Sequence, residues 1–437
     1  MDRGGKGGAV RGAIPGTAVA RSHPHFSGTT MLGVSGLVLL LSAPAQTYGF
    51  SVFIDPMLAE FGWSRTLISG AFTIATLVSA GAVMLAGGLI DRFGHRRLMA
   101  IMAVVYAVSL VAMGAVANPA TLLVGLILMR ISGSSVLTLT ARTLIAQWYV
   151  RRRGRAVSLI NLGKVLGMAL VPPANAVLIE RFGWRAAWQV NAVLVASLVP
   201  LALLVVRGRP EEVGQFPDGR RPDGSAAGAA ADLAADEASW TLRQALRTRA
   251  LWLLVVCTVV PATVTNGLSF VQISVLAEAG LSARLAATTF AVESVVALPM
   301  TLLVGWLADR LGPRPVLVLG QVALAVAMVW LAFTTTPAAA FAFGALRGLA
   351  GGTWILASEV AWPAYFGRRH LGSIVGFSFA VGFIGAAIGP LPFGLVSDAF
   401  GSYRYAIWGM TTLPVLATVA ALLARPPGLP PATAATG

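Results

Sequence analysis

The sequence predicts an all-α membrane protein with twelve transmembrane helices, arranged as two pseudo-symmetric six-helix bundles. Two observations carry this prediction: the composition is more apolar than that of a soluble protein, and the two halves of the chain repeat each other. Apolar residues make up 57% of the chain and charged residues 11%, whereas a soluble protein carries roughly a quarter charged residues.

Twelve apolar segments are long enough to cross the hydrocarbon core of a bilayer, which takes about 20 helical residues. The first run, from Met31 to Phe53, follows a basic segment, but it is too long for the core of a signal peptide and no small-residue cleavage pattern follows it. Numbered as spans one to twelve, the segments lie at 29–54, 66–89, 98–117, 120–147, 156–179, 187–206, 250–277, 284–306, 315–335, 338–362, 371–395 and 403–424.

The internal repeat is found in the loops as well as in the spans. Equivalent residues lie 217 or 218 positions apart. Pro44 and Pro261 also match, and proline inside a span is expected to bend its helix. Two related sets of spanning helices are typical of secondary transporters, whose substrate site lies between the halves near mid-membrane. The equivalent pairs include Glu60 and Glu278, Asp91 and Asp309, Arg92 and Arg310, Arg130 and Arg347, and Gly167 and Gly385.

The basic residues are distributed unevenly between the two sides of the predicted membrane. With both termini in the cytoplasm, 23 of the 32 Lys and Arg residues lie in cytoplasmic segments. This asymmetry follows the positive-inside rule, so topology explains the net charge of +15 and no nucleic-acid partner is predicted. We expect a multi-pass protein of the cytoplasmic (inner) cell membrane, in contact with lipid. We expect a monomer, although the sequence does not fix the oligomeric state.

The hydrophilic segments divide the chain into five predicted parts. Residues 1–28 are predicted to be a disordered, basic, cytoplasmic N-terminus, and residues 29–206 the N-terminal six-helix bundle. Residues 207–249 are predicted to be a cytoplasmic linker, since their Pro-, Gly- and Ala-rich composition buries little surface. Residues 250–424 then form the C-terminal bundle, and residues 425–437 a cytoplasmic tail.

A repeated motif occupies the loops after span two and span eight. It consists of Gly87, Asp91, Arg92, Gly94 and Arg96 in the first copy, and of Asp309, Arg310, Gly312 and Arg314 in the second. These residues closely resemble the signature loop of the major facilitator superfamily, and the resemblance covers residues 29–424. It implies the twelve-helix fold and a cytoplasmic latch, in which the Asp and Arg residues hold the bundle ends together. The alternative is that these charges only set the topology.

The start of span five resembles one particular group within the superfamily. Trp148 and Tyr149, followed by a basic run and then by Gly163 and Gly167, look like the span-five signature of monocarboxylate transporters. The segment 60–65 is similar to bacterial members of that group and to oxalate/formate exchangers. The resemblance implies transport of a small organic anion, often with a proton. The acidic motif of that group in span one and its charged pair in span eight are missing, so neither substrate nor coupling follows from the resemblance.

Charged side chains inside the membrane cost roughly 3 kcal/mol each and usually face a cavity or a partner. Arg130, Arg347 and Glu293 lie about nine or ten residues into their spans, close to the midplane at about 15 Å depth. We predict that Arg130 and Arg347 bind a substrate carboxylate, since guanidinium matches a carboxylate with two parallel hydrogen bonds. The alternative for Arg130 is a structural or proton-transfer role, because Arg130-Ile-Ser-Gly133 resembles a motif widespread in the superfamily.

The remaining polar residues of the spans have predicted roles around the same cavity. Glu293 is the candidate for proton coupling, and its alternative is a fixed ion pair with Arg347. Lys164 is predicted either to meet a substrate carboxylate or to extend to the lipid headgroups. Arg142 and Glu359 are predicted to belong to a gate or to an inter-bundle salt bridge. Pocket candidates are Tyr48, Asn266, Gln272 and Trp354, with Gln46 and Ser269.

No enzyme signature is present in the sequence. The four histidines have no carboxylate or Cys partners in metal-ligand spacing. The glycine-rich nucleotide-binding pattern that ends in Lys and Ser or Thr is absent, so neither ATP nor another cofactor is expected. The predicted function is secondary active transport of a small organic anion, a monocarboxylate, with a proton and by alternating access. Two alternatives remain: export of hydrophobic or cationic compounds, and ligand sensing with signalling through residues 207–247.

Overall fold

The structure is a computed structural model, and it describes residues 27–149, 153–216, 240–367 and 371–427. Within these ranges, every regular element is a helix. Long apolar helices predominate because a segment inside lipid must satisfy all its backbone hydrogen bonds internally, which a helix does without a partner strand.

The helices of the first half follow the six predicted spans. Spans two and three are separated by the non-helical residue Gly94, and spans five and six by Gly183; their φ angles of 73° and 81° suit glycine. The helices are Gly28–Leu41, Thr47–Phe50 and Ile54–Phe61 for span one, Arg65–Gly114 for spans two and three, Pro119–Met129, Arg130–Val136 and Leu137–Trp148 for span four, and Arg153–Ala196 and Leu198–Leu204 for spans five and six.

The second half repeats this arrangement. Gly312, with a φ of 78°, makes the turn that Gly94 makes in the first half. The helices are Arg249–Glu278 for span seven, Ala283–Leu311 for span eight, Pro313–Ala332 for span nine, Pro337–Phe366 for span ten, Leu371–Ile388 and Pro390–Phe400 for span eleven, and Tyr403–Leu423 for span twelve.

Ten stretches of the described chain are long and apolar enough to cross a membrane. One of them, Arg155–Leu204, contains both span five and span six, which Gly183 separates. The 30-residue helix Pro337–Phe366 supplies span ten. The prediction of an all-α, multi-pass membrane protein with twelve spans is therefore confirmed.

Span one is broken near its middle. Residues Ala43–Ala45, which include Pro44, form a 3-10 turn, and Gln46 is extended before the helix resumes. The hydroxyl of Tyr106 in span three accepts a hydrogen bond from the backbone nitrogen of Ala45 at 3.0 Å and donates to the carbonyl of Leu41 at 3.3 Å. Broken helices are tolerated in a membrane only where other groups satisfy the freed backbone, and Tyr106 does so here.

The repeated glutamates fasten the loops within each half. In the first half, Glu60 accepts hydrogen bonds from Arg185 and from the indole of Trp184, and these bonds lower the pKa of Glu60. In the second half, Glu278 accepts hydrogen bonds from the Ser402 hydroxyl and from the backbone nitrogen of Tyr403. The repeat therefore preserves a contact between equivalent loops, although the donors differ.

Small residues allow the helices within each half to approach closely. A Cβ atom on Gly163 would lie 1.9 Å from the carbonyl oxygen of Gly36, so span five packs directly on span one. In the second half, a Cβ atom on Gly385, the equivalent of Gly167, would lie 2.5 Å from the Thr263 hydroxyl of span seven. Close backbone contact of this kind supplies much of the packing attraction between helices in lipid.

Both described ends of the 207–249 segment are packed against the bundles. The indole nitrogen of Trp148 donates to the carbonyl of Arg207 at 3.0 Å. The backbone nitrogen of Trp240 donates to the carbonyl of Phe366 at 3.0 Å. Trp148 corresponds to Tyr365, the neighbour of Phe366, so the segment is held near corresponding points of both halves.

Candidate functional site

The two halves meet through three pairs of spans: one with seven, two with eleven, and five with eight. At one end of this boundary, Asp398 of span eleven accepts hydrogen bonds from the backbone nitrogens of Arg65 and Thr66, at 3.1 and 2.7 Å. The carboxylate therefore caps the N-terminus of span two, where unpaired N–H groups favour a negative charge. This contact joins the halves directly.

The guanidinium of Arg65 extends the same connection. It lies 3.0 Å from Oδ1 of Asp55 and 2.7 Å from the hydroxyl of Tyr403. The hydroxyl of Ser274 donates to the same Asp55 oxygen at 2.9 Å. We call the five residues Asp55, Arg65, Ser274, Asp398 and Tyr403 the boundary cluster. Its bonds cross between the halves several times and close this end of the molecule.

A set of aromatic rings packs across the boundary next to this cluster. The ring of Phe72 lies 4.8 Å from that of Phe270, and Phe50 lies 5.9 Å from Phe270. Tyr48 lies 6.2 Å from Phe290. These five residues, which we call the aromatic layer, come from both halves. They fill the space between spans one, two, seven and eight with apolar groups.

Arg130 is buried, with 8% of the residue exposed, at the start of the π-helical turn of span four. Nη1 donates to the carbonyl of Ala45 in the break of span one at 3.1 Å, and the guanidinium carbon lies 4.6 Å from the ring centre of Phe72. Nε has no hydrogen-bond partner among the described residues. The partners of Arg130 on the described chain are thus a neutral carbonyl and an aromatic ring.

Arg347 is more completely enclosed, with 2% of the residue exposed. Nη2 lies 3.2 Å from Oε1 of Glu293 and donates to the Ser269 hydroxyl at 2.8 Å. Nη1 donates to Gln272, whose own amide nitrogen donates to Thr289 at 2.6 Å. The predicted proximity of Arg347 and Glu293 is therefore observed, and in this conformation they form an ion pair.

The two equivalent arginines therefore differ in charge balance. The pair of Arg347 and Glu293 is close to neutral, whereas Arg130 has no carboxylate within reach among the residues that the structure describes. Burying a charge without a counter-charge is costly, so the surroundings of Arg130 attract an anion more strongly than those of Arg347.

Some of the predicted pocket residues bind Arg347 within the second half, and others lie where the two halves meet. Gln272 and Ser269 hold Arg347. Asn266 lies on the boundary, where it accepts a hydrogen bond from Thr47 at 2.6 Å and donates to the carbonyl of Ala386. Tyr48 is buried, and its hydroxyl has no partner in the described part of the chain. Gln46 is partly buried in the break of span one.

Lys164 and Arg142 lie near each other on exposed positions of spans five and four. Arg142 donates to Asn161 of span five at 3.2 Å, which is a contact within the first half. These two cations belong to a region separate from the hydrogen-bond network of Arg347. Their predicted contacts with a substrate or a gate remain predictions.

The loop motif is only partly described. Arg92, Arg96 and Arg310 are exposed, and Arg314 donates to the carbonyls of Ala421 and Leu422 near the end of span twelve. The turns at Gly94 and Gly312 are as predicted. The residues whose surroundings or side chains lie outside the described part are Gly87, Asp91, Asp309, Trp354 and Glu359, so the cytoplasmic latch stays a prediction.

The boundary cluster was not predicted from the sequence, although the repeat contains a signal for it. Asp55 and Arg65 correspond to Ile273 and Ala283 in the second half, which carry no charge. Charges present in one half alone are not needed for the fold that both halves share, so they mark positions with an additional role. No group of metal-binding side chains is found among the described residues.

The sequence matches the family model described as Major Facilitator Superfamily over residues 36–292 and 259–437. The chain is 24% identical over 406 residues to a gallate transporter of Pseudomonas putida, an alignment covering 86% of this chain and 88% of the relative. It is 26% identical over 172 residues to monocarboxylate transporter 7 of Homo sapiens, covering 37% and 32%. It is 30% identical over 203 residues to a multidrug resistance protein B homolog of Mycobacterium tuberculosis, covering 45% and 37%.

The chain spans about a third of the length of the first curated relatives that it matches. Among solved structures, a bacterial homolog of the human lysosomal transporter Spinster, in an inward-facing and unoccupied conformation, superposes with a TM-score of 0.72. That match covers 91% of this chain and 97% of the other at 19% identity. The likeness supports the twelve-helix fold.

Proposed function

Because the chain belongs to the Major Facilitator Superfamily, we propose that it is a secondary active transporter that moves a small organic anion, a monocarboxylate, together with a proton. One observation carries the proposal: Arg130 is a buried cation at the boundary of the halves, and its described partners are neutral. The similarity to a gallate transporter and to a monocarboxylate transporter supports the same substrate class, since gallate is itself a carboxylate.

The charge of Arg130 favours an anionic substrate for a physical reason. A guanidinium does not lose its proton in proteins, so it cannot relieve the cost of burial by becoming neutral. A carboxylate in contact with it offsets that cost and forms a short, charge-assisted hydrogen bond. A neutral or cationic solute gains neither effect at this position.

The pairing of Arg347 with Glu293 supports the proposed coupling to a proton. Oε1 of Glu293 faces Arg347, while Oε2 has no partner among the described residues and can take a proton without displacing Arg347. A proton on Glu293 leaves the charge of Arg347 uncompensated, which adds a second positive centre. Binding of a proton and binding of an anion therefore favour each other, as cotransport requires.

The position of Arg130 suits alternating access. It bonds to Ala45 in the break of span one, and it lies against Phe72 of the aromatic layer. The aromatic layer and the boundary cluster join the halves at one end, so that end opens only when their contacts separate. A substrate that binds Arg130 is thus placed to influence the separation of the halves, as a site between rocking bundles does.

Uptake by purified protein in liposomes tests the proposal. With a proton gradient, labelled lactate or pyruvate is expected to accumulate, whereas a labelled lipophilic cation is not. Arg130→Gln is expected to lower uptake of the acid by at least about tenfold, the effect of losing roughly 1.4 kcal/mol or more of charged hydrogen bonding. Arg404→Gln, a matched change at an exposed arginine, is the control and retains uptake. Unchanged uptake by Arg130→Gln contradicts the proposal.

A second experiment tests whether Glu293 couples transport to a proton. Glu293→Gln keeps the shape of the side chain but cannot take up or release a proton. It is expected to equilibrate labelled acid across the membrane without concentrating it when a proton gradient is applied. A Glu293→Gln protein that still concentrates the acid shows that the proton is carried elsewhere or not at all.

Export of hydrophobic compounds is the second candidate. It is favoured by the similarity to a multidrug resistance protein B homolog and by the aromatic layer, which offers apolar surface at the boundary. The liposome experiment separates the two candidates, because movement of the lipophilic cation in place of the acids supports export.

A further inference from the structure

Among the buried polar atoms that have no hydrogen-bond partner in the described chain, three belong to residues that the sequence places around the cavity. They are Nε of Arg130, the hydroxyl of Tyr48 and Oε2 of Glu293. Each belongs to a side chain that is more than nine-tenths buried. Buried polar atoms in folded proteins nearly always have a partner, so three of them around one boundary indicate a place where a polar molecule binds.

The aromatic layer relates these three atoms to one another. The Arg130 guanidinium lies against Phe72, which packs on Phe270 of span seven across the boundary. The neighbours of Phe270 in the chain, Ser269 and Gln272, bind Arg347, the partner of Glu293. A series of side-chain contacts therefore links Arg130 of the first half to the pair of Arg347 and Glu293 in the second half.

A second contact connects Tyr48 of span one with the helix of span eight that carries Glu293. Its ring contacts Phe290 of span eight at 6.2 Å. Glu293 follows Phe290 by three residues, so it lies one turn further along the same face of that helix. Tyr48 and Glu293 thus both lie within about one helical turn of the contact between spans one and eight.

The chemistry of the three atoms differs. Nε of Arg130 donates and carries positive charge, so it matches a carboxylate. The hydroxyl of Tyr48 both donates and accepts, and Oε2 of Glu293 accepts when ionised and donates when protonated. A hydroxyl on the substrate satisfies Glu293 in both protonation states, because it too can donate and accept. A substrate that carries an alkyl or aryl group in place of this hydroxyl leaves the hydroxyl of Tyr48 and Oε2 of Glu293 unpaired.

We infer that this transporter selects hydroxy acids: the carboxylate of the substrate binds Arg130, and its hydroxyl is recognised by Tyr48 and by Oε2 of Glu293. The inference rests on the proposed function and narrows its substrate class. It assigns to Tyr48 a role in specificity that is separate from its packing against Phe290.

Pairs of acids that differ by one hydroxyl test the inference in liposomes containing the full chain. Propionate is compared with lactate, and benzoate with 3-hydroxybenzoate, as competitors of labelled lactate uptake. The hydroxylated member of at least one pair is expected to inhibit at a concentration lower by about tenfold or more, since a buried hydrogen-bonding group rejects an analogue that leaves it unpaired. Equal inhibition within both pairs overturns the inference.

The Tyr48→Phe variant tests the contribution of the Tyr48 hydroxyl to substrate preference. The variant keeps the ring that packs on Phe290, and it is expected to reduce the preference for the hydroxylated acid to about threefold or less, which is the range of an unaided contact. Tyr365→Phe removes a buried hydroxyl that is already hydrogen-bonded to the carbonyl of Ala424 at the end of span twelve, so it is the matched control and retains the preference. A Tyr48→Phe protein with the full preference overturns the assignment.

The outcomes distinguish this inference from the proposed function. If the wild-type chain transports no acid, the proposed function fails. If it transports acids in an Arg130-dependent way without regard to the hydroxyl, the proposed function stands and only the selection of hydroxy acids is overturned.

Discussion

Arg130 and Arg347 occupy equivalent positions in the two halves, and they differ because their neighbours do. Glu293, which neutralises Arg347, corresponds to Ala75 in the first half, and Gln272 corresponds to Ile54. The repeat thus supplies a cation twice but a counter-charge once. This difference is visible in the sequence, and the structure adds that the partners actually meet. The proposed anion site follows from this asymmetry.

The hydroxyl of Tyr106 gives a testable prediction about the stability of the protein. Its hydroxyl satisfies the Ala45 nitrogen and the Leu41 carbonyl at the break of span one. Tyr106→Phe removes both of these bonds, although the Ala45 nitrogen keeps its bond to the Ser42 carbonyl, and is expected to destabilise the protein by about 0.5–1.5 kcal/mol. Thermal unfolding in detergent measures the loss. Tyr405→Phe is the control, because that side chain is 59% exposed and the change is expected to be nearly neutral. Equal melting temperatures for both variants contradict this account.

Spans one and seven show how one element can differ between the halves. Pro44 and Pro261 are equivalent, yet span one breaks at Ala43–Ala45 whereas Arg249–Glu278 continues as one helix. The position of Tyr106 is taken in span nine by Leu324, which has no hydroxyl to support freed backbone groups. Proline alone therefore does not decide whether a span breaks. The available partner on the neighbouring helix does.

The packing of span five on span one can be tested by a substitution at the contact between the two helices. A Cβ atom on Gly163 would lie 1.9 Å from the carbonyl oxygen of Gly36, so Gly163→Ala forces the two helices apart. We expect a loss of about 1–3 kcal/mol in stability, as for other overpacked sites. Thermal unfolding again measures it.

Gly33→Ala is the matched control for Gly163→Ala. No atom lies within 4 Å of a Cβ atom built on Gly33, and alanine suits a helix better than glycine by about 0.5–1 kcal/mol. The two Gly→Ala changes are thus expected to have opposite signs. A stabilising effect of Gly163→Ala would show that spans one and five do not pack as described.

At the scale of the whole molecule, two similar halves are joined at one end by contacts that neither half contains alone. Asp398 of the second half caps span two of the first, and Arg65 pairs with Asp55 beside Tyr403. Alternating access requires this end to open and close. The boundary cluster is therefore expected to govern how readily it opens.

A reversible cross-link tests that expectation. A Cβ atom on Gly394 would lie 2.2 Å from the Ser69 hydroxyl oxygen, so Ser69→Cys with Gly394→Cys puts two cysteine side chains in direct contact across the boundary. Oxidation is expected to stop transport, and a reducing agent to restore it.

The background of the cross-linking experiment is favourable, because the chain has one native cysteine, Cys257, which is buried. Each single cysteine variant serves as a control and is expected to be insensitive to oxidation. Full transport by the oxidised double variant, with the disulfide demonstrated by mass spectrometry, contradicts the view that this end must open.

The amino-acid sequence alone determined the number and order of the spans, the two-fold repeat, the glycine turns and the identity of the charged residues in the membrane. These features depend on hydropathy, backbone freedom and chain symmetry, all of which are local or periodic. The tertiary structure decided which charges are paired, where span one breaks and how Asp398 meets span two. Those contacts join residues hundreds of positions apart, and the energy of a buried charge depends on the atoms that surround it in three dimensions.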